Sequence, residues 1–365
     1  MAGNKNLHSA ARDKNDEFYT RLTDIEKELR HYKDHFKDKV VLCNCDDPFE
    51  SNFFKYFVLN FNRLGLKKLI ATCYAGSSIS NRQLSVFDIT GKGKPGENIP
   101  YKAVVNKVYD TTGDGGIDLF DVVELFKTGE NQLTALKGDG DFRSDECIEL
   151  LKESDIVVSN PPFSKFRLYL GLLVEYNKKF IIWGNTNAVT YKEVFPLIKD
   201  SKMWSGFLFN KTCVFQIPDD YEKYDEKITA EINDGNKYCK VPSIATFTNL
   251  DIKKRHEDII LIKKYSPEDY PKYDNYDVIN VDKVKDIPCD YDGVMGVPIT
   301  FLDKYNPDQF EILEGSNRYG ILNTWGQNEK IREKKSHGNN INGKAKYFRI
   351  HVRNLHPELR DKETQ

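Results

Sequence analysis

The chain has 365 residues, of which 39% are hydrophobic, 12% aromatic and 30% charged, and this composition is typical of one or two globular domains. It excludes wholesale disorder and fibrous repeats, and no apolar run reaches the roughly 20 residues of a membrane helix. The net charge is only −2, the first twenty residues lack the apolar core of a secretory signal, and seven cysteines favour free thiols in a reducing cytoplasm.

The N-terminal part predicts a polar leader, a helix and then a strand–loop–helix–strand unit. The helix is expected over 23–36, with Thr23 and Glu26 as a capping box and with Ile25, Leu29 and Tyr32 on one face. A buried strand over 39–43, a helix over 51–64 that ends at Gly65, and a strand over 68–73 follow. Such a unit of about thirty residues is the building block of a parallel doubly wound sheet.

The same pattern recurs downstream. It predicts a strand over 133–137, a helix over 145–153, a strand over 155–159, a helix over about 165–176 and a strand over 179–183. Residues 75–130 are interpreted as an insertion, with a turn at 91–96 that joins two edge strands. Beyond residue 218 the alternation ends, which predicts an irregular mixed α/β region. The expected segments are therefore 1–38, 39–217 and 218–365.

The clearest chemical signal is Asn160-Pro161-Pro162-Phe163 after the predicted strand over 155–159. Ligands of open α/β sheets bind beyond the carboxyl ends of the strands. The Asn160 amide oxygen and the Pro161 carbonyl, which the proline ring holds rigid, can both accept hydrogen bonds from one exocyclic amino group. This arrangement directs the nitrogen lone pair outward toward an electrophilic methyl group, while Phe163 offers a face for stacking. For the tetrapeptide alone, a strand-ending turn is the alternative.

Three other segments are candidates for holding a cofactor. In the loop Asn44-Cys45-Asp46-Asp47-Pro48, carboxylates suit an ammonium group and a ribose diol, or they cap the next helix. Asp141-Phe142 can accept from an adenine amino group and pack on its ring, or form a surface turn. Phe18-Tyr19-Thr20 is an aromatic and polar patch. The sequence shows no G-x-G-x-x-G fingerprint, no P-loop, no nucleophile elbow and no metal-ligand spacing.

The C-terminal fifty residues are basic. Residues 316–365 carry 11 Lys and Arg against 5 Asp and Glu, a balance of +6, whereas the rest of the chain carries 43 against 51, a balance of −8. Cations suit phosphates and amides suit base edges, so the segment is a candidate for DNA binding, although a solvated tail is also possible. The candidate residues are Lys330, Arg332, Lys334, Lys335, Asn339, Asn340, Lys344, Lys346 and Arg349.

Several motifs together resemble the EcoRI DNA adenine methyltransferase family. Asn160–Phe163 is similar to the (D/N)PP(Y/F) motif of S-adenosylmethionine-dependent amino-methyltransferases, and residues 16–20 resemble the N-terminal cofactor motif of DNA adenine methyltransferases. The loop 44–48 with 51–57, and the runs 138–144 and 293–302, resemble the EcoRI family itself. The resemblance extends from about residue 14 to 353. The sequence departs from the wider class of methyltransferases at two points. Its first loop is not glycine-rich, and its second strand ends in Thr72-Cys73-Tyr74 without the usual acidic residue.

The resemblance implies a class I methyltransferase fold, Rossmann-like with a doubly wound and mostly parallel sheet, and a C-terminal target-recognition region. It also implies S-adenosyl-L-methionine as the cofactor and adenine N6 in double-stranded DNA as the methyl acceptor, in a bacterial restriction-modification or phage context. Asn160–Phe163 would form the catalytic pocket, while Phe18–Thr20, the 45–48 loop and Asp141-Phe142 would hold the cofactor. A monomer is favoured, without membrane association, and a cognate restriction endonuclease is only a genetic partner.

Two other functions stay open at this point. The same tetrapeptide can methylate a glutamine amide in a protein, although the long basic C-terminal region favours DNA. A DNA-binding protein that has lost catalysis is the other possibility, and the intact Asn160–Phe163 motif argues against it.

Overall fold

The computed structural model describes residues 19–45, 51–74, 100–110, 125–126, 129–217, 231–233, 236–317, 320–321 and 339–358. The helices are α1 (Leu22–Leu29), α2 (Asn52–Leu59), α3 (Phe61–Leu64), α4 (Asp145–Glu153), α5 (Phe166–Glu175) and α6 (Phe195–Lys199). The first eleven strands in chain order are β1 (Tyr19–Thr20), β2 (Val40–Cys43), β3 (Lys68–Thr72), β4 (Tyr101–Val105), β5 (Gln132–Ala135), β6 (Ile156–Ser159), β7 (Lys179–Asn185), β8 (Trp204–Ser205), β9 (Lys211–Ile217), β10 (Glu231–Asn233) and β11 (Asn236–Thr248). They are followed by β12 (Ile279–Asn280), β13 (Met295–Pro298), β14 (Phe310–Asn317), β15 (Gly320–Ile321), β16 (Asn340–Ile341), β17 (Lys344–Ala345) and β18 (Arg349–Asn354).

The chain divides into two compact units. The described residues up to Asn185, together with those of Gly206–Leu250, form the first, and Thr186–Ser205 with those from Asp251 onward form the second. The sequence analysis instead predicts a single boundary between the catalytic and C-terminal regions, near residue 218. The difference arises because β11 pairs with β7 in the sheet of the first unit, for example Thr246 with Trp183.

A large mixed sheet forms the first unit, with the strand order β1-β9-β11-β7-β6-β2-β3-β4-β5. Its centre is parallel, since β2 pairs in parallel with both β3 and β6, and β6 pairs in parallel with β7. All four residues of β2 and of β6 are buried. Because successive side chains of a strand point to opposite faces, both faces of these strands are covered, as their continuous apolar sequences predict. The predicted doubly wound α/β sheet is confirmed.

Local signals fix the helices that flank this centre. Ser51 caps α2, because its hydroxyl oxygen accepts from the backbone N–H of Phe53 at 3.2 Å, and Gly65 ends α3 with φ +63°. Ser144 caps α4 by accepting from the N–H of Cys147 at 3.3 Å. The helix predicted over 145–153 therefore agrees with α4. The single helix predicted over 51–64 is instead divided into α2 and α3 at Asn60, which has φ −110° and ψ 8° and so leaves the helical conformation.

The first helix differs from its prediction at both ends. It begins at Leu22 after Arg21, whose side chain makes no capping hydrogen bond, so the expected capping box of Thr23 and Glu26 is wrong. Thr23 lies inside the helix. The charged contacts of the first turn are made by Asp24, which forms ion pairs with Arg21 and Lys27. The helix ends at Leu29, and a separate 3-10 turn covers Lys33–His35. The predicted apolar face, Ile25, Leu29 and Tyr32, is fully buried.

The predicted insertion falls mostly outside the described residues, including its expected turn at 91–96. The described part contains β4, which runs antiparallel to β3 and to β5 and so extends the sheet at one edge. Strand β5 covers 132–135 rather than 133–137.

The second unit contains a smaller sheet with the order β12-β13-β18-β14-β15, and β16 pairs separately with β17. Strands β12 and β13 are parallel, and the other pairs are antiparallel. Met295, Val297, Phe310 and Val352 form part of its buried core. Short 3-10 turns and irregular segments connect these strands, as the sequence predicts for this region. Within the described ranges, every helix is too short or too polar to span a bilayer.

Candidate active site

An open cleft lies at the carboxyl edge of the parallel strands of the first unit. It is lined by Cys45, Tyr74, Gly140, Asp141, Phe142, Pro162 and Lys165. Cys45 follows β2 and Pro162 follows β6, and these two strands are neighbours although a long stretch of chain separates them. In open α/β sheets the connections on either side of such a pair diverge and leave a crevice, which is where ligands bind. The topology therefore produces the cleft.

The Asn160–Phe163 tetrapeptide lies at this edge. Asn160 directly follows β6 and is buried, as is Pro161, whereas Pro162 lines the cleft. The carbonyl of Pro162 accepts a hydrogen bond from the N–H of Lys165 at 2.8 Å, which closes a 3-10 turn that begins at the half-buried Phe163. The motif is thus part of a defined turn that leads from β6 into α5.

A buried hydrogen-bond network holds the two sides of the cleft together. The Ser159 hydroxyl at the end of β6 donates to the backbone carbonyl of Asn44 at the end of β2. The Tyr169 hydroxyl on α5 donates to the side-chain oxygen of Asn44. Burial raises the pKa of Tyr169 well above its usual range, so the phenol keeps its proton and its role as a donor. This network fixes the backbone next to Cys45 relative to the residue that precedes Asn160.

Sequence reasoning did not identify Ser159 and Tyr169. The only local signal was the hydroxyl of a serine that ends an apolar strand immediately before Asn160. Tyr169 carries no such signal, because its partner Asn44 is 125 residues away in the chain.

Asp141 is held as an ionised carboxylate beside the cleft. Arg143 donates to both carboxylate oxygens, at 2.8 and 2.7 Å, and the Lys165 ammonium lies 3.7 Å away. The hydrogen bonds and positive charge of Arg143, with the charge of Lys165, lower the pKa of Asp141 to about 2. Lys165 also lies over the ring of Tyr74, 5.2 Å from its centroid. Asp141 is therefore an acceptor at any pH at which the protein would act.

Phe142 packs edge-to-face against Tyr169, with 5.2 Å between the ring centroids, so Asp141-Phe142 is joined to the same network. The adjacent Gly140 has φ +78°, and a Cβ atom there would lie 2.1 Å from the carbonyl oxygen of Cys73. Only glycine allows the backbone to come this close to the end of β3. The loop over 138–142 is thereby brought to the cleft.

Thr20 is placed near the same edge of the sheet. The side-chain amide of Asn52, at the start of α2, donates to the Thr20 carbonyl at 2.8 Å, and α2 follows the loop at the carboxyl end of β2. The Thr20 hydroxyl oxygen is buried and has no hydrogen-bond partner among the described residues. A buried hydroxyl without a partner is costly, and a bound polar ligand would satisfy it.

The residues present fit a cofactor with an ammonium group, a ribose and a planar base. The cleft offers an anionic acceptor in Asp141, aromatic rings in Phe142 and Tyr74, and a close backbone approach at Gly140. Phe18, Asp46, Asp47 and Pro48 lie outside the described residues, and for Tyr19 only the backbone is described. Of the predicted cofactor residues, the structure brings Cys45, Asp141 and Phe142 together and joins Asn44 to them.

The predicted DNA-binding residues fall into three groups. Lys330, Arg332, Lys334 and Lys335 lie outside the described residues. Lys344 is exposed, whereas Asn340 and Lys346 are half-buried. Asn339 and Arg349 are buried by contacts within the second unit.

Asn339 donates to the carbonyl of Ser316 at 2.7 Å, and Arg349 donates to the carboxylate of Asp282 at 3.1 Å. These two side chains hold β14 and β18 to neighbouring segments. Their burial argues against the prediction that Asn339 and Arg349 contact a duplex directly.

Comparison with known proteins gives a consistent result. The family model described as adenine-specific methyltransferase EcoRI matches residues 6–355. The chain is 47% identical to the Type II methyltransferase M.EcoRI of Escherichia coli over 97% of both chains. It is 38% identical to the Type II methyltransferase M.MgeORF184P of Mycoplasma genitalium, over 95% of this chain and 98% of the relative. It is 37% identical to the Type II methyltransferase M.MpnI of Mycoplasma pneumoniae, over 95% and 97%. No solved structure matches the chain.

Proposed function

The chain belongs to the adenine-specific EcoRI methyltransferase family, and from this premise we propose that it methylates adenine N6 at a specific site in double-stranded DNA, with S-adenosylmethionine as the methyl donor. The observation that carries the proposal is the position of Asn160–Phe163 at the carboxyl end of β6, where Pro162 lines the cleft at the switch point of the sheet.

The proposed chemistry needs no base to activate the amino group and no covalent adduct. The nitrogen attacks as the neutral amine, and the extra proton that it carries after methylation is released to solvent. The Asn160 amide oxygen and the Pro161 carbonyl accept hydrogen bonds from the adenine amino group and orient its lone pair toward the cleft. Phe163 stacks on the purine ring and limits its rotation. Much of the acceleration would then come from holding the adenine nitrogen in line with the methyl group and the sulfur that leaves it, since well-oriented reactions have effective molarities of about 10⁵–10⁸ M. The rigid turn that begins at Phe163 supports this positioning.

The cofactor is assigned to the cleft on the chemistry of its lining. S-adenosylmethionine supplies an electrophilic methyl group when bound. Asp141 would accept from a polar group of the cofactor, Phe142 and Tyr74 would pack on its flat or apolar parts, and the Thr20 hydroxyl would gain the partner that it lacks among the described residues.

The substrate adenine has to leave the duplex to reach the edge of a sheet. Extruding a base costs a few kcal/mol of stacking and pairing, which contacts at Asn160 and Phe163 would offset. The second unit and the basic C-terminal segment would supply the phosphate and base contacts that select the site. A restriction-modification context agrees with the Type II names of the relatives, which themselves concern other proteins.

Labelled methyl transfer to a duplex tests the proposal. Asn160→Ala should lower the rate of methyl transfer by about 10²–10³-fold or more, because loss of one hydrogen-bonding group at a reacting centre has an effect of this size. Duplex affinity should stay within about tenfold of the wild type. Asn160→Asp keeps an acceptor and should retain more activity than Asn160→Ala.

Asn106→Ala is the matched control. Asn106 follows β4, which runs antiparallel to β3, so it lies at the opposite edge of the sheet and its substitution should leave the rate unchanged. Full turnover by Asn160→Ala would contradict the catalytic assignment. Transfer to protein glutamine but to no duplex would favour the glutamine methyltransferase instead.

A further inference from the structure

Two isoleucines of the second unit are far more exposed than apolar side chains usually are. Ile260 is 86% exposed and Ile262 is 76% exposed, which makes them the most exposed large apolar residues in the described part of the chain. Leu261 between them is half-buried. Single exposed apolar residues need no explanation, but two that share one short segment indicate an interaction surface. Neither residue was part of any predicted site.

The backbone on both sides of these residues is anchored. The N–H of Ile259 donates to the side-chain oxygen of Gln309 at 2.7 Å, and the Gln309 amide donates back to the Ile259 carbonyl at 2.8 Å. On the other side, the Lys263 carbonyl accepts from the N–H of Cys289 at 2.8 Å, and the N–H of Tyr265 donates to Asp290 at 2.7 Å. The exposed apex over 260–262 is therefore held between fixed points, so it would lose little conformational entropy on binding.

Positive charge flanks this apex. Residues 253–264 carry five Lys and Arg against two Asp and Glu, a balance of +3. Lys254 is paired with Asp303 at 2.5 Å, and Arg255 packs on the ring of Trp204 at 3.9 Å. Lys253, Lys263 and Lys264 are exposed. A partner that complements the exposed isoleucines and the flanking lysines has apolar faces bordered by anionic groups. A DNA duplex has this chemistry, because its stacked bases lie between two rows of phosphates.

We propose that Ile260 and Ile262 form an apolar wedge that enters the base stack of the substrate duplex, with Lys253, Lys263 and Lys264 on flanking phosphates. The inference rests on the proposed function, because it takes the duplex as the substrate. Insertion of apolar side chains between base steps unstacks and kinks DNA. Unstacking and kinking weaken the stacking that holds a base in the duplex, so the wedge would contribute to the rate of methylation as well as to affinity.

The test compares two double variants of the same segment, I260A/I262A and K263Q/K264Q. The probe is an unmethylated duplex that contains the sequence methylated by the wild type. It carries a fluorophore at each end, so that energy transfer between the two reports bending. Affinity is measured by anisotropy over a range of salt concentrations. We expect I260A/I262A to lose the bend and to bind about 10- to 50-fold more weakly at every salt concentration, with an unchanged slope of log Kd against log salt. K263Q/K264Q should keep the bend and lower that slope by about two.

The outcomes distinguish the wedge from other roles. Wild-type bending and affinity in I260A/I262A would overturn the proposal. If the wild type dimerises and I260A/I262A does not, while both bind DNA equally well, the segment would instead contact a second copy of the chain, and the wedge would be overturned. Because both side chains are exposed, the Tm should be unchanged, and the single variant I260A repeats the test if it is not. A wild type that neither binds nor methylates any duplex would overturn the proposed function as well. If the wild type does both, the result for I260A/I262A tests the wedge alone.

Discussion

Substitution of Gly140 by alanine should damage the cleft more than its small size suggests. Gly140 has φ +78°, and an added Cβ would lie 2.1 Å from the carbonyl oxygen of Cys73 and 3.0 Å from the Cβ of Pro100. The first close contact joins the added Cβ, whose position the backbone fixes, to a backbone oxygen, so no side-chain rotation can relieve it. The loop that carries Asp141 and Phe142 must shift by more than 1 Å to reach ordinary contact distance.

The expected cost has two parts. A non-glycine residue in the left-handed region costs about 1–2 kcal/mol, and overpacking costs about 1–3 kcal/mol more. Two other glycines separate these parts. Gly129 has φ +80° but open space at the Cβ position, so Gly129→Ala should cost only the first part. Gly138 lies in the same loop as Gly140 with open space and without a positive φ, so Gly138→Ala should be neutral or stabilise by about 0.4–1 kcal/mol.

Urea unfolding and calorimetric titration with S-adenosylmethionine measure both consequences. Gly140→Ala should lower the free energy of unfolding by about 2–5 kcal/mol and weaken cofactor binding by about tenfold or more, since tenfold corresponds to about 1.4 kcal/mol. Gly129→Ala and Gly138→Ala should bind the cofactor as the wild type does. A Gly140→Ala protein that matches Gly138→Ala in both measurements would refute the role of the close backbone approach.

Three more predictions concern the network and the charges. Tyr169→Phe removes the buried donor to Asn44, so the free energy of unfolding should fall by about 1–3 kcal/mol, and an unchanged value would argue against the hydrogen bond. Because the pKa of Asp141 is lowered to about 2, its contribution to stability is complete above pH 4–5 and is lost as the pH falls toward 2. The difference in unfolding free energy between the wild type and Asp141→Asn should therefore shrink from pH 6 to pH 3, and a difference that grows on acidification would contradict the ion pair. Charge reversal of Lys334 and Lys335 should weaken duplex binding and flatten its salt dependence, and unchanged affinity would exclude this segment from the interface.

The parallel centre of the fold could be predicted because its signals are local. The buried strands β2 and β6 are continuous apolar runs, Ser51 and Ser144 cap the helices that follow loops, and Gly65 ends a helix. The family resemblance, read from motifs in the right order, is confirmed by the family model and the relatives, and the mixed sheet agrees with the class I methyltransferase fold.

Long-range pairing could not be predicted from local pattern. Strand β11 belongs to the first sheet only because it pairs with β7 and β9, and no local signal in 236–248 specifies those partners. The bonds of Tyr169 and Ser159 to Asn44 span 125 and 115 residues of sequence. Cys45 adopts φ +81°, a conformation that favours glycine. The first loop therefore keeps a glycine-like backbone at this position although it lacks the glycine-rich turn.

Sequencing of native DNA from cells that express the wild type or Asn160→Ala, with detection of modified bases, tests the central claim most directly. We predict N6-methyladenine at one defined sequence with the wild type and none above background with the variant. Methylation that persists in the Asn160→Ala cells, or wild-type DNA without any methylated adenine, would contradict an adenine methyltransferase that works through this residue.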